Sequence, residues 1–163
     1  FDEAVGGGRV LDVGCNPGWE TATFARRGDD VVGIDLAETF CRRTADRVPD
    51  AGVARMDMRH LGVPTDGVDG VWALASLVHV PRDQVSGVLS EFARVLRPGG
   101  TLLVAVKAGE GTTRGDTYPG DERTVTLFEA DELRALLAEA GFAASLLGDD
   151  EWIRFLGRTE SLR

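Results

Sequence analysis

The apolar residues of this chain fall in short valine-rich runs that alternate with amphipathic segments, and this alternation limits the folds open to it. The runs predict buried strands, at Arg9–Val13, Val31–Asp35, Val53–Arg55, Val68–Leu74 and Thr101–Val106. The segments with helical spacing of apolar residues predict helices, at Trp19–Arg27, Thr39–Val48, Arg82–Leu96 and Ala130–Ala140. Strands joined through helices lie parallel in one sheet that helices cover on both faces. We therefore expect an α/β fold with a doubly wound sheet.

The end of the chain departs from this alternation. The strand-like runs Phe142–Leu147 and Trp152–Gly157 are separated by only four residues, too few for a crossover helix. They predict an antiparallel hairpin at one edge of the sheet. Before them, the glycine-rich stretch Lys107–Arg123 shows no apolar period. A loop of this length is typical of a lid, a binding loop or a disordered segment.

Length and charge narrow the class of protein. A chain of 163 residues suits one domain. Its 18 basic and 27 acidic residues give a net charge of -9, which argues against nucleic acid, because phosphate contacts need a basic face. We see neither an apolar run of the ~20 residues that a membrane span needs nor an export leader. The two cysteines and two histidines show no metal-ligand spacing. We expect a cytoplasmic protein without membrane contact or metal.

The first predicted strand runs into a glycine-punctuated turn, "VGCNPGW". Gly14 and Gly18 let the backbone approach a ligand closely, and the helix that begins at Trp19 presents free N–H groups to the same place. In an open parallel sheet, ligands bind at the carboxyl ends of the strands, where the strand order reverses. Asn16 stands where a third glycine is expected. Because asparagine tolerates left-handed backbone angles, we expect it to replace glycine conformationally and to add one amide.

Two acids indicate which ligand suits this turn. Asp35 ends the second strand seventeen residues after Gly18, and an acid there accepts hydrogen bonds from both hydroxyls of a ribose. A dinucleotide needs the spacing G-x-G-x-x-G, which this turn lacks. Asp12, two residues before Gly14, would repel a pyrophosphate but could attract an ammonium group or orient the loop. The residues favour an adenosine cofactor other than NAD, and an NAD-dependent reductase is kept as a less fitting alternative.

Six stretches, taken in order, resemble the class I S-adenosylmethionine-dependent methyltransferases. They are "VLDVGCNPG", "VVGIDLA", "ARMDM", "VDGVWALASLVHVPR", "LSEFARVLRPGGTLLVAV" and "FEADELRALLAEAGF". The resemblance runs from about Arg9 to the end of the chain and is to the small bacterial type that acts on small molecules. It implies a Rossmann-like, doubly wound seven-stranded sheet with strand order 3-2-1-4-5-7-6 and strand 7 antiparallel, in agreement with the predicted hairpin.

The resemblance implies a pocket for S-adenosylmethionine. Gly14, Cys15, Asn16 and Gly18 would form the loop around the methionine part of the cofactor, with Asp12 nearby. The extra atoms of Asn16 lie in the tightest part of this loop. We expect them to weaken cofactor binding without abolishing it.

Further residues are assigned to the rest of the cofactor by the same resemblance. Asp35 would bind the ribose hydroxyls, and Leu36 would pack on the adenine. Asp57 would accept a hydrogen bond from the adenine amino group, while the Met58 backbone N–H would meet a ring nitrogen. Ala73–Leu74, at the tip of the fourth strand, would touch the methionine part or the sulfonium side.

His79 is the candidate catalytic residue. It stands just past the fourth strand, near the place where the transferred methyl group should emerge, and a neutral imidazole there could take a proton from a hydroxyl substrate. The alternative is a structural histidine that bonds the backbone before Pro81. Ser76 is a weaker candidate for the same role, and Lys107 and Tyr118 could orient a substrate from the long loop.

The leading hypothesis is methyl transfer from S-adenosylmethionine to an oxygen or nitrogen of a small molecule. The alternative is a protein with the same fold and cofactor pocket that transfers no methyl group and acts as a binding or accessory protein. We expect residues 1–163 to form one methyltransferase domain, and a homodimer is a further expectation. Only eight residues precede the first strand, whereas relatives commonly have an N-terminal segment that covers the cofactor. We expect either that this chain is incomplete or that the long loop or a second subunit covers the cofactor.

Overall fold

The computed structural model describes residues 1–115 and 123–160 as nine strands and five helices. The strands, in chain order, are β1 Arg9–Val13, β2 Asp30–Asp35, β3 Gly52–Arg55, β4 Val68–Leu74, β5 Leu96–Lys107, β6 Thr112–Arg114, β7 Thr124–Thr126, β8 Phe142–Asp149 and β9 Trp152–Thr159. The helices are α1 Asp2–Val5, α2 Trp19–Arg26, α3 Glu38–Arg47, α4 Val85–Val95 and α5 Ala130–Glu139, with 3₁₀ turns at Leu77–His79 and Arg82–Gln84. None of the helices in these ranges has the length and apolar composition that a membrane span requires.

Seven of the strands form one sheet in the order β3-β2-β1-β4-β5-β9-β8. The neighbours from β3 to β5 pair in parallel, whereas β9 runs antiparallel to both β5 and β8. Numbering the seven strands along the chain gives 3-2-1-4-5-7-6 with strand 7 antiparallel, so the expected topology is confirmed. From β1 the chain builds outward to β2 and β3, then crosses to β4 on the other side. The strand order therefore reverses between β1 and β4, which is where a crevice forms in such sheets.

The valine-rich strands are buried because helices cover both faces of the sheet. Val10, Leu11, Val71 and Val104 in the central strands have no exposed surface. Helix α4 contributes an apolar stripe at helical spacing, formed by Val85, Val88, Leu89, Phe92 and Val95. This burial on both faces is typical of a parallel sheet.

Two boundaries differ from the prediction by three residues or more. The segment Arg82–Leu96 begins with a 3₁₀ turn, and helix α4 itself starts at Val85. At its other end the chain turns directly into β5, because Leu96 already has extended backbone angles and pairs with Val68. Strand β5 therefore begins five residues before the expected Thr101, and the register shifts between Val68 and Gly70 accommodate the extra residues.

The expected loop at Lys107–Arg123 is partly ordered by pairing. Strand β6 within it pairs antiparallel with β7, from Thr112 opposite Thr126 to Arg114 opposite Thr124. The expectation of a loop without regular structure is wrong for these three residues. They form a strand because their backbone groups hydrogen-bond to β7, although their own sequence shows no apolar period. Tyr118 lies outside the described residues.

Arg94 holds the segment after β3 against helix α4. Its guanidinium donates hydrogen bonds to the carbonyl oxygens of Val63 and Leu61, at 2.9 and 3.0 Å. It also donates to both carboxylate oxygens of Glu91, one of which accepts the Leu61 backbone N–H as well, at 2.9 Å. Planar guanidinium groups make several directed bonds at once, which a lysine ammonium cannot reproduce.

We expect Arg94→Lys to destabilise the protein by about 1–3 kcal/mol, because carbonyl and carboxylate groups that are half-buried lose their donors. Urea unfolding measures this as a lower midpoint. Arg42→Lys is the matched control: Arg42 pairs with Glu38 on the exposed face of α3, where such a pair contributes about 0.5 kcal/mol or less. Equal shifts in the two variants would contradict the role of Arg94.

Candidate functional site

A cavity of about 400 Å³ opens at the carboxyl edge of the sheet. The residues that follow four neighbouring strands line it: Gly14 after β1, Leu36 after β2, Asp57 after β3 and Ser76 after β4. Seven of the twelve residues predicted for the site are in its wall: Gly14, Asn16, Asp35, Leu36, Asp57, Met58 and His79. The sheet thus brings together side chains that are far apart in sequence.

The turn between β1 and α2 has three left-handed residues. The φ angles are +75° at Gly14, +50° at Asn16 and +84° at Gly18. The prediction that Asn16 replaces glycine conformationally is confirmed. Its added amide donates a hydrogen bond to the Gly14 carbonyl oxygen at 3.0 Å, so the amide stabilises the turn from within.

Asp35 joins this turn to the end of β2. One carboxylate oxygen accepts the Asn16 backbone N–H at 3.2 Å, and the other accepts the Ala37 N–H at 2.8 Å. A carboxylate oxygen can accept two hydrogen bonds, so each oxygen has room for a ligand hydroxyl. The side chain is half-buried and lines the cavity. Its position is therefore fixed before any ligand binds.

The wall next to Asp35 is apolar. Leu36 is 57% exposed, which is unusual for a leucine at the end of a buried strand, and Phe40 of α3 lies in the same wall. Met56 and Met58 line the cavity from the segment after β3. A flat, largely apolar group with hydroxyls at one end fits this combination of surfaces. Adenosine is such a group, and the residues present are therefore compatible with an adenosyl cofactor.

Asp57 has a partner that the sequence reasoning missed. The Arg59 guanidinium binds it through Nε, 3.0 Å from each carboxylate oxygen, and Arg59 also contacts Gln84 Oε1 at 2.9 Å. The hydrogen bonds from Arg59 lower the pKa of Asp57. A ligand amino group would therefore share this carboxylate with Arg59. The signal for this pairing was the basic residue two positions after the acid.

Three predicted residues in or next to the turn do not line the cavity. Asp12 is 2% exposed and accepts a hydrogen bond from the Thr21 hydroxyl at 2.6 Å; burial raises its pKa to about 7. Cys15 is buried with its sulfur 3.4 Å from the Thr44 hydroxyl, and burial raises its pKa to about 12. Gly18 faces Thr44, whose Cγ2 would lie 2.9 Å from a Cβ at this position.

The structure does not place Ala73–Leu74, which were expected beside the methionine part of the cofactor, in the cavity wall. Ala73 is fully buried in the sheet, and Leu74 is not in the cavity wall. Ala75 has a φ of +55°, which turns the chain at the end of β4, and Ala75 and Ser76 line the cavity instead. No glycine marks this turn in the sequence, so local pattern gave no signal for it.

His79 lies in the cavity wall with Val80 and Pro81. It ends a 3₁₀ turn, and its backbone N–H donates to the Ser76 carbonyl oxygen at 3.1 Å. The predicted position beside the cavity is confirmed, and a catalytic role stays a prediction. Arg123 also lines the cavity and was not foreseen, whereas Lys107 does not line it. Within residues 1–115 and 123–160, no three His, Cys, Asp or Glu side chains cluster as a metal site.

Comparison with known proteins places this geometry in context. Residues 11–104, more than half of the chain, match the family model described as a methyltransferase domain. The chain is 40% identical over 65% of its length to "Methyltransferase GfsG" of Streptomyces halstedii. It is 34% identical over 96% of its length to "27-O-demethylrifamycin SV methyltransferase" of Amycolatopsis mediterranei. The chain spans 40% and 64% of the lengths of these two relatives.

Solved structures share the fold at lower identity. A structure described as a SAM-dependent methyltransferase of Methanosarcina mazei has a TM-score of 0.82 at 20% identity, covering 95% of this chain and 93% of the other. The [4+2]-cyclase SpnF has a TM-score of 0.77 at 22% identity, covering 99% of this chain and 79% of the other. At these identities the similarity shows the fold alone.

We expect Gly14→Ala to destabilise the protein more than Gly28→Ala. Both glycines have positive φ, which costs an alanine roughly 1–2 kcal/mol. A Cβ at Gly14 would also lie 2.7 Å from Ser76 Cβ, whereas nothing lies within 4 Å at Gly28. Overpacking adds about 1–3 kcal/mol. Urea unfolding measures both, and Gly14→Ala combined with Ser76→Gly should recover the overpacking part. Equal losses at Gly14 and Gly28 would refute the close contact.

The buried Asp12 predicts a pH dependence. Its pKa of about 7 in the folded protein lies above its ordinary value of 3.8, so the unfolded chain releases the proton first as pH rises. Asp12 therefore destabilises the fold progressively until pH passes about 7. Asp12→Asn removes this titration and keeps an acceptor for Thr21. Relative to wild type, its free energy of unfolding should rise by on the order of 2 kcal/mol between about pH 5.5 and pH 8. Parallel curves for the two proteins would contradict a raised pKa.

Proposed function

The chain belongs to the class I S-adenosylmethionine-dependent methyltransferases, because the family model spans more than half of its residues. From that membership we propose that it transfers a methyl group to an oxygen or nitrogen of a small molecule. The observation that carries the proposal is the cavity at the carboxyl edge of the sheet, where the left-handed turn, Asp35 and Leu36 meet. The net charge of -9 supports a small-molecule acceptor over a nucleic acid.

Each part of the wall has a role in binding the cofactor. Asp35 accepts hydrogen bonds from the ribose hydroxyls, for which its carboxylate is already oriented by two backbone N–H groups. Leu36 and Phe40 pack on the adenine. Asp57 accepts from the adenine amino group while it stays paired with Arg59. The glycine turn leaves space for the methionine part of the cofactor, because Gly14 lines the cavity and has no Cβ.

Bound S-adenosylmethionine supplies a methyl group already activated by its sulfonium. The main contribution of the protein is then to hold the acceptor in line, and such positioning can lower a barrier by ~7–11 kcal/mol in favourable cases. His79, at the edge of the same cavity, accepts a proton from a hydroxyl acceptor, whereas an amine acceptor needs little help. Val80 and Pro81 give the acceptor an apolar surface. The relatives named for a rifamycin derivative and other methyltransferases support a small organic acceptor.

A cofactor-binding protein without methyl transfer is the second candidate. One observation favours it: the Asp57 carboxylate, which would accept the adenine amino group, is already paired with Arg59. Product detection separates the candidates, because only the first yields a methylated acceptor with release of S-adenosylhomocysteine. An NAD-dependent reductase fits less well, since the glycine spacing of the turn is not that of a dinucleotide site.

Asp35→Ala is expected to weaken S-adenosylmethionine binding at least tenfold, because the ribose hydroxyls lose their acceptor, and titration calorimetry measures this. Asp30→Ala is the matched control, because this substitution removes the same charge from the same strand. Asp30 begins β2 and pairs with Arg9, away from the cavity. Its dissociation constant should equal that of the wild type. An unchanged constant for Asp35→Ala, or an equal loss in both variants, would rule out the proposed ribose site.

A further inference from the structure

Arg82 connects three segments next to the cavity wall, although it does not line the cavity itself. It directly follows Pro81, which is part of the wall. Its guanidinium pairs with Glu132 in the first turn of α5 and donates hydrogen bonds to the Leu127 carbonyl oxygen and, at 3.4 Å, to that of Gly111. Leu127 follows β7, and Gly111 precedes β6. One side chain therefore holds both strands of the β6–β7 ladder and the start of α5 beside the wall.

This set of contacts requires a guanidinium. Nη1 of Arg82 faces the Glu132 carboxylate, while Nη2 faces the two carbonyl oxygens. The guanidinium also lies over the Phe128 ring, 5.4 Å from its centroid. Phe128 is fully buried, so its ring gives the guanidinium a fixed support. A lysine ammonium replaces the charge but cannot make these directed contacts together.

A second contact joins β7 to the same wall. The Thr126 hydroxyl donates to the Val80 carbonyl oxygen at 2.9 Å, and both residues are buried. Val80 lines the cavity, and so does Arg123, the residue just before β7. The β6–β7 ladder thus lies beside the part of the wall formed by His79, Val80 and Pro81, which the proposed function gives to the acceptor.

The cofactor side of the cavity is held by other contacts. Asp35 bonds the backbone of the glycine turn, and Asp57 pairs with Arg59. Among the described residues, Arg82 and Thr126 hydrogen-bond to none of these three. Loss of the Arg82 contacts should therefore disturb the acceptor side of the wall more than the cofactor side.

We propose that Arg82 is a positioning residue for the methyl acceptor, an inference that rests on the proposed function. Arg82 holds the β6–β7 ladder beside Val80 and Pro81, and so fixes the surface on which the acceptor lies. In-line transfer depends on such positioning, and a displacement of about 1 Å can lower the rate about a hundredfold. Because Arg82 does not line the cavity, it acts through this wall.

Arg82→Lys tests the inference by separating acceptor from cofactor. Kinetics use the member of a panel of phenols, alcohols and amines that the wild type methylates fastest. The variant should lower kcat/KM for this acceptor about 10- to 100-fold, while the dissociation constant of S-adenosylhomocysteine, measured by calorimetry, changes less than about twofold. Arg134→Lys is the matched control, because the Arg134 guanidinium of α5 lies 5.0 Å from the centroid of the Phe155 ring and outside the cavity wall. It should change neither quantity.

Thr126→Val gives an independent variant of the same contact surface. Valine has nearly the shape of threonine, and the substitution removes the hydroxyl that joins β7 to Val80. It should show the same loss of kcat/KM at unchanged affinity for S-adenosylhomocysteine. In both variants, with S-adenosylhomocysteine bound, the backbone amides of β6 and β7 should exchange hydrogen faster than in the wild type.

Three results would overturn the inference. An unchanged kcat/KM in Arg82→Lys would mean that the acceptor does not depend on this contact, and an equal loss of kcat/KM and of S-adenosylhomocysteine affinity would mean a general structural role. Unchanged hydrogen exchange of the ladder in Arg82→Lys would show that the side chain does not hold it. If the wild type binds S-adenosylhomocysteine but methylates no member of the panel, the proposed function fails and the inference with it, a result distinct from the other three.

Discussion

The left-handed turn between β1 and α2 is the constraint on which the rest of the structure depends. The Gly14 and Cys15 N–H groups both donate to the Ile34 carbonyl oxygen, at 2.8 and 2.9 Å, and so tie the turn to the end of β2. The Thr44 hydroxyl of α3 donates to the Asn16 carbonyl oxygen at 2.8 Å. The turn is thereby held between a strand and a helix. These hydrogen bonds within the protein set its shape and that of the cavity wall to which it contributes.

A layer of buried polar side chains next to the turn maintains this shape, and the burial of one of them, Asp12, destabilises the fold as pH rises towards 7. Asp12, Thr21, Cys15 and Thr44 are buried there and bond with one another in pairs. Burial holds the proton on Asp12 to about pH 7, so the carboxyl group works as a hydrogen-bond partner for Thr21 and carries little charge below that pH. The sequence suggested two roles for Asp12, attraction of an ammonium group or orientation of the loop, and its burial and its bond with Thr21 favour the second.

The sequence predicted those features that repeat along the chain or that a short motif encodes. The strand at Val68–Leu74 was predicted with its observed bounds, and the conformation of Asn16 followed from the backbone tolerance of its side chain. Features that depend on contacts between distant segments escaped prediction. The contact between Arg59 and Gln84, the β6–β7 ladder and the turn at Ala75 are of this kind. Ala75 adopts a left-handed angle without being glycine, because its N–H donates to the Ala105 carbonyl oxygen and the 3₁₀ turn that follows is anchored by the buried Leu77 and Val78.

A crystal structure of the protein with S-adenosylhomocysteine would test the central claim most directly. The account predicts the ribose hydroxyls within about 3 Å of the Asp35 carboxylate, the adenine against Leu36, and the amino-acid end over Gly14. A ligand bound at another face of the sheet, or bound in this cavity in the reverse orientation, would contradict it.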